Sequence, residues 1–134
     1  MNLLLDTNIV LDHLLDRKLF SHAASRIFAD IEEGMHNGFL CATTITTIDY
    51  LTKKVLGTKQ AKSVITNLLE IFEVAPVNRI VLESAIKSKF PDFEDAVLHE
   101  AAIHQNLDAI ITRNLVDFKK AKLPVYSSEQ FIVL

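Results

Sequence analysis

Two runs of consecutive apolar residues, Leu3-Leu4-Leu5 and Ala109-Ile110-Ile111, each stop at a polar side chain, Asp6 and Thr112. A strand that is apolar at every position has both faces covered, which is how parallel strands sit between layers of helix. The intervening spacing is helical. Ile9, Val10, Leu11, Leu14 and Leu15 recur after the capping residues Thr7 and Asn8, and a second helix over residues 21–33 is stopped by Gly34. A strand over 39–42 feeds a helix that ends at Gly57, and another helix follows over 58–69. Residues 71–77 read as a strand interrupted by Pro76, and 79–89 as a helix broken by Pro91. An acid-led helix opens at Asp92-Phe93-Glu94-Asp95, a strand covers 108–112, and a short strand falls at Val125-Tyr126. Strands alternating with helices predict an α/β fold, a three-layer α/β/α sandwich around a parallel sheet of four to five strands.

A length of 134 residues points to one domain, residues 1–134, large enough to close a core. The net charge of -3 gives no global positive field for a polyanion, so a nucleic-acid partner would need local basic residues or metal ions. Cys41 is the only cysteine, and Phe39-Leu40-Cys41-Ala42 reads as a buried strand thiol in a reducing compartment. No basic segment precedes the first apolar run and no run approaches ~20 apolar residues, so the expectation is a cytoplasmic protein without signal peptide or membrane span. None of the three glycines lies in a phosphate-cradling loop, which argues against a dinucleotide or P-loop enzyme.

The acids carry the chemistry. Asp6 ends the first strand, Asp49 lies just inside the helix after the second, Asp95 begins the helix before the fourth, and Asn114 follows that strand. All four are expected on the rim where open α/β sheets hold ligands. Converging carboxylates repel one another unless a divalent cation neutralises them. Oxygen donors without a Cys or His cluster select Mg²⁺ or Mn²⁺ over zinc. Plain structural roles compete for some of these residues. Asp92 three residues before Asp95 suits an N-cap, which is the favoured reading of Asp92, and Thr46 with Asp49 has capping-box spacing. Asp12 and Asp16 read as a solvated helix face, and Glu94 as pointing away from its neighbours. Asp6 gains little structurally from following a buried strand, so function is favoured there.

Leu3-Leu4-Leu5-Asp6-Thr7-Asn8-Ile9-Val10-Leu11-Asp12, Asp92-Phe93-Glu94-Asp95-Ala96 and Ile111-Thr112-Arg113-Asn114-Leu115-Val116-Asp117-Phe118 together resemble the PIN-domain ribonucleases, especially the small members that act as toxins of bacterial toxin-antitoxin pairs. The resemblance spans nearly the whole chain. It implies a Mg²⁺- or Mn²⁺-dependent endoribonuclease, often a homodimer, with an RNA substrate and a small antitoxin partner. By position, Asp6 matches the family's first acid, Asp49 the second, which is usually a glutamate, and Asp95 the third. Asn114 stands where a fourth acid is common, with Asp117 or Asp92 to compensate.

On this reading Asp6, Asp49 and Asp95 are catalytic and bind metal, assisted by Asn114 or Asp117. Thr7, Asn8, Asp92 and Thr112 support them, and Arg113, Lys119, Lys120 and Lys122 position phosphates. The three-acid reading has Asp6 and Asp95 hold the principal ion, with Asp49 completing the site directly or through water. The competing classes are a catalytically degenerate PIN-fold module that binds RNA or protein, favoured by Asp49 and Asn114, and a receiver-like phosphoacceptor. The latter lacks a lysine at the end of a late strand.

Overall fold

The computed structural model describes residues 1–134. Five strands, β1 (Asn2–Leu5), β2 (Asn37–Cys41), β3 (Glu73–Ala75), β4 (Ala109–Ile111) and β5 (Val125–Tyr126), form one sheet in the order β3-β2-β1-β4-β5. Every neighbouring pair is parallel; Leu4 pairs with Phe39 on one side and Ile110 on the other. Seven helices connect and cover them: α1 (Thr7–Leu14), α2 (Ser21–Glu32), α3 (Ala42–Leu56), α4 (Thr58–Ile71), α5 (Arg79–Lys87), α6 (Phe93–His104) and α7 (Ser128–Ile132). This is the expected three-layer α/β/α sandwich.

The strand period of two divides the core. Leu3, Leu5, Ala109 and Ile111 face a cluster with Ile9 and Val10 of α1, Ile27 and Phe28 of α2, Ile48 of α3, Leu68 of α4 and Phe131 of α7. Leu4, Cys41 and Ile110 face the other layer, with Val81 and Ala85 of α5 and Val97 and Ala101 of α6. Cys41 is fully buried, as its apolar strand setting predicts. Gly38 fits in β2 because a Cβ there would lie 2.7 Å from the Phe72 ring and 2.8 Å from Ile31. No helix is long and apolar enough to cross a membrane.

The chain runs from β1 outward to β2 and β3 on one side and to β4 and β5 on the other. The strand order therefore reverses at the β1–β4 boundary, and the carboxyl ends of these two strands open a crevice there. Asp6 and Thr112 follow directly on β1 and β4.

Candidate metal centre

Asp6 is the N-cap of α1 and is 8% exposed. Its Oδ1 accepts a 2.7 Å hydrogen bond from the Thr7 amide, and its Oδ2 accepts one of 2.7 Å from the Thr112 hydroxyl. Burial pushes its carboxyl above the ordinary carboxylate range, opposed by the Thr112 and Thr7 hydrogen bonds and the Arg113 charge, with Asp92 adding to the rise. The Thr112 hydroxyl also accepts from the Asn114 amide at 3.0 Å, which fixes the chain leaving β4.

Asp95 faces Asp6 across the crevice from the first turn of α6. The acids that open this helix suit its N-terminal partial positive charge. Asp92 caps it, its Oδ2 accepting from the Asp95 amide at 3.1 Å. Burial, and then Asp6, Asp92, Asp117 and Glu94 in that order, push the Asp95 carboxyl up to about 7. No basic side chain pairs with Asp95; the ion pairs lie elsewhere. The Asn114 side-chain nitrogen donates to Asp117 Oδ2 and reaches Asp95 Oδ2 at 3.5 Å. It is thus the side-chain amide nitrogen of Asn114 that meets the carboxylates.

A cleft of about 30 Å³ lies between these groups, lined by Asp6, Thr7, Thr43, Thr44, Thr47, Glu94, Asp95 and Leu98. Such a volume holds a water-sized occupant. Thr7 Oγ1 donates to Thr44 Oγ1 at 3.1 Å, linking α1 to α3 along one wall.

Asp49 stands outside this cleft and does not join Asp6 and Asp95 there. It forms a 2.9 Å ion pair with Lys53 and lines a separate hollow between α3 and α4 with Lys62 and Thr66. Helical phase is the reason. Thr43, Thr44 and Thr47 share the cleft-facing side of α3, and Asp49, two residues beyond Thr47, is turned roughly 200° away. The Thr46–Asp49 capping box is absent too, because α3 starts at Ala42 and Thr46 Oγ1 donates to the Thr43 carbonyl. No three Asp, Glu, His or Cys side chains cluster tightly enough to hold a metal by themselves.

Other expectations are corrected. Asp12 is buried at 1% exposure, not solvated, because Arg113 Nη2 approaches its Oδ1 at 3.0 Å and Arg17 Nη1 at 3.6 Å. Arg113 also stacks over Phe20, its guanidinium carbon 4.0 Å from the ring centroid, so it braces the fold and does not project toward a phosphate. Asn8 is exposed and accepts from Arg17, which removes it from the acid cleft. Lys119 is exposed and lines no cleft near the acids; Lys120 and Lys122 line a second cleft on the α5–α6 side, which leaves their expected role toward phosphate in place but away from the acids. Sequence reasoning missed the three threonines and turned Glu94 away. Its signals were present: hydroxyls at i, i+1 and i+4 on α3, and Glu94 beside Asp95.

The donors fit one hard cation. Asp6 and Asp95 supply carboxylate oxygens, with Glu94 at the edge of the cleft, and the threonines supply neutral ones; Asp95 has carboxylate neighbours and no basic partner. Mg²⁺ is commonly held by one or two carboxylates with water completing its shell.

A PIN domain family model matches residues 2–116. The chain is also similar to solved structures: FitAcB from Neisseria gonorrhoeae, with 19% identity, coverage of 95% of this chain and 98% of that one, and a TM-score of 0.73; and a toxin-antitoxin complex from Klebsiella pneumoniae, with 20% identity, coverage of 93% and 96%, and a TM-score of 0.69. A third is Mycobacterium tuberculosis VapC20, described as a sarcin-ricin loop cleaving toxin, with 13% identity, coverage of 81% and 86%, and a TM-score of 0.65. At these identities the likeness shows the fold. A comparison with curated proteins finds no match. The family match takes in Asp6, Asp95 and the polar end of β4, the residues that build the acid cleft, and by it the chain belongs to the PIN-domain family.

Proposed function

We propose that the chain is a divalent-metal-dependent endoribonuclease, the toxin of a toxin-antitoxin pair, and works as a homodimer in the cytoplasm. The observation that carries this reading is the shared cleft of Asp6 and Asp95 at the strand-order reversal, where burial and then the neighbouring carboxylates push the Asp95 carboxyl up to about 7. Family membership supports nuclease activity. The likeness to a chain of a toxin-antitoxin complex and to an RNA-cleaving toxin supports the antitoxin and RNA parts. Exposed Tyr50, Val55 and Leu56 on α3 offer apolar area to a partner chain.

Asp6 and Asp95 would hold the ion, with Glu94 at the edge of the cleft as a further oxygen donor. An ion bound there would supply a nucleophilic water near neutral pH and offset charge on the phosphoryl oxygens, as Mg²⁺ and Mn²⁺ do. The chain's own residues do the positioning. Thr112 and the Thr7 amide fix both oxygens of Asp6, while Asn114 restrains Asp95 and Asp117. Thr43, Thr44 and Thr47 offer hydroxyls that can orient water, and Leu98 closes one side of the cleft to solvent. Asp49 has no part in this scheme.

A short RNA incubated with Mn²⁺ tests it. Asp6→Asn should lower cleavage by at least ~100-fold, beyond the usual cost of losing a residue that merely supports a metal ligand. A second reading, a module that binds RNA or protein without cutting, is favoured by the threonines that occupy the cleft-facing side of α3. Wild-type protein that binds RNA but leaves it intact in Mn²⁺ would establish that reading.

A further inference from the structure

A second cleft holds none of the acid-site residues. It measures about 560 Å³ and lies between α5, α6 and the segment after β4, lined by Lys87, Lys89, Lys120 and Lys122 with Ser84, Ser88, Phe90, His99 and Glu100. A chain of net charge -3 thus gathers four lysines here against the single carboxylate of Glu100. All four lysines are exposed, and none is within ion-pair distance of an acid.

His99 makes this more than a charged surface. It is 2% exposed, its ring packs 4.7 Å from Phe90, and its Nε2 accepts a 3.0 Å hydrogen bond from the Lys122 amide. An Nε2 that accepts leaves the proton of the neutral ring on Nδ1. Burial and Lys122 hold the ring below its ordinary value despite Glu100, which keeps it neutral. Nδ1 is buried and has no partner in the protein, an unmet donor in a residue that lines a cationic cleft. Asp95 and His99 are four apart on α6, so the cleft begins about 6 Å along the helix from the acid site. That is on the order of one nucleotide step along a single strand.

We propose that this cleft is a second phosphate subsite, holding a backbone phosphate of the RNA strand that lies across the acid cleft. Lys87, Lys89, Lys120 and Lys122 supply the charge, Ser84 and Ser88 supply hydroxyls, and Phe90 offers an apolar face beside the strand. The assignment rests on the endoribonuclease reading for the identity of the strand, and on this cleft alone for where the phosphate sits.

The test compares wild type with Lys87→Ala/Lys122→Ala, both exposed positions, using a fluorescent ten-nucleotide RNA without divalent ions and then the same RNA with Mn²⁺. The double variant should bind at least ten-fold more weakly, and its salt slope should fall by about 0.7, the value for one lost phosphate contact on a single strand. In Mn²⁺ it should raise KM with kcat unchanged. Equal binding and equal slope in the two proteins would overturn the subsite, even if both cleave RNA. Weakened binding by the variant with no cleavage by wild type would keep the subsite and remove the nuclease reading. No RNA binding by wild type, with titrated inorganic phosphate shifting the His99 ring resonances, would overturn the RNA assignment in favour of another phosphate ester.

Discussion

Thr112 Oγ1 donates to Asp6 Oδ2 at 2.7 Å in a buried contact that ties the carboxyl ends of β4 and β1 together. The same hydroxyl accepts from the Asn114 amide, so one side chain fixes the first acid and aims the segment that carries Asn114 and Asp117. The two residues are 106 positions apart in sequence. The acid cleft exists only once the two central strands have paired.

Thr112→Val keeps the shape and removes both hydrogen bonds. It should destabilise the protein by about 1–3 kcal/mol, the cost of leaving buried polar groups without partners. The Thr112 bond is the largest influence holding the Asp6 carboxyl down, so its loss should raise that carboxyl further. Urea unfolding and carboxyl ¹³C titration measure the two effects.

Asp95 gives the pH dependence. Its folded value of about 7 lies above the ordinary 3.8. Between those limits the native chain keeps a proton that the unfolded chain has released, so this carboxyl's contribution to stability falls as pH rises from about 4 to about 7 and is level above. Asp95→Asn does not titrate. Without divalent ions the variant should match wild type near pH 4 and exceed it by about 2 kcal/mol above pH 7, allowing for solvent screening of a half-buried group. Saturating Mg²⁺ should then raise the melting temperature of wild type alone. Thermal scans of both proteins across this pH range check the prediction.

Arg113 offers a contrast. Arg113→Met leaves Asp12, at 1% exposure, with only the longer contact to Arg17. Breaking a buried pair on one side costs about 3–5 kcal/mol, and a partner that remains lowers this to about 2–3 kcal/mol. RNA affinity, read by fluorescence anisotropy, should stay unchanged, because this guanidinium is committed to Asp12 and Phe20.

The sheet was legible because burial on both faces leaves an unbroken apolar run, as at Leu3-Leu4-Leu5 and Ala109-Ile110-Ile111. Asp6 and Asp95 were legible because a strand end and a helix start fix where a side chain sits. Asp49 was misread because its direction depends on the phase of α3, and that is set by where the helix starts. The helix begins at Ala42, with no loop after β2, so the threonines take the cleft and Asp49 turns to Lys53. Asp12 was misread because a periodic acid on α1 looks solvated until Arg113 arrives from the far end of the chain. Phase and long-range pairing are tertiary facts, and local spacing does not encode them.

Manganese titration followed by electron paramagnetic resonance addresses the central claim, one divalent ion held by Asp6 and Asp95. Wild type should bind one Mn²⁺ per chain, Asp49→Asn should bind it equally well, and Asp6→Asn and Asp95→Asn should lose it. A wild-type chain that binds no Mn²⁺, or a bound ion that survives Asp95→Asn, would contradict the account.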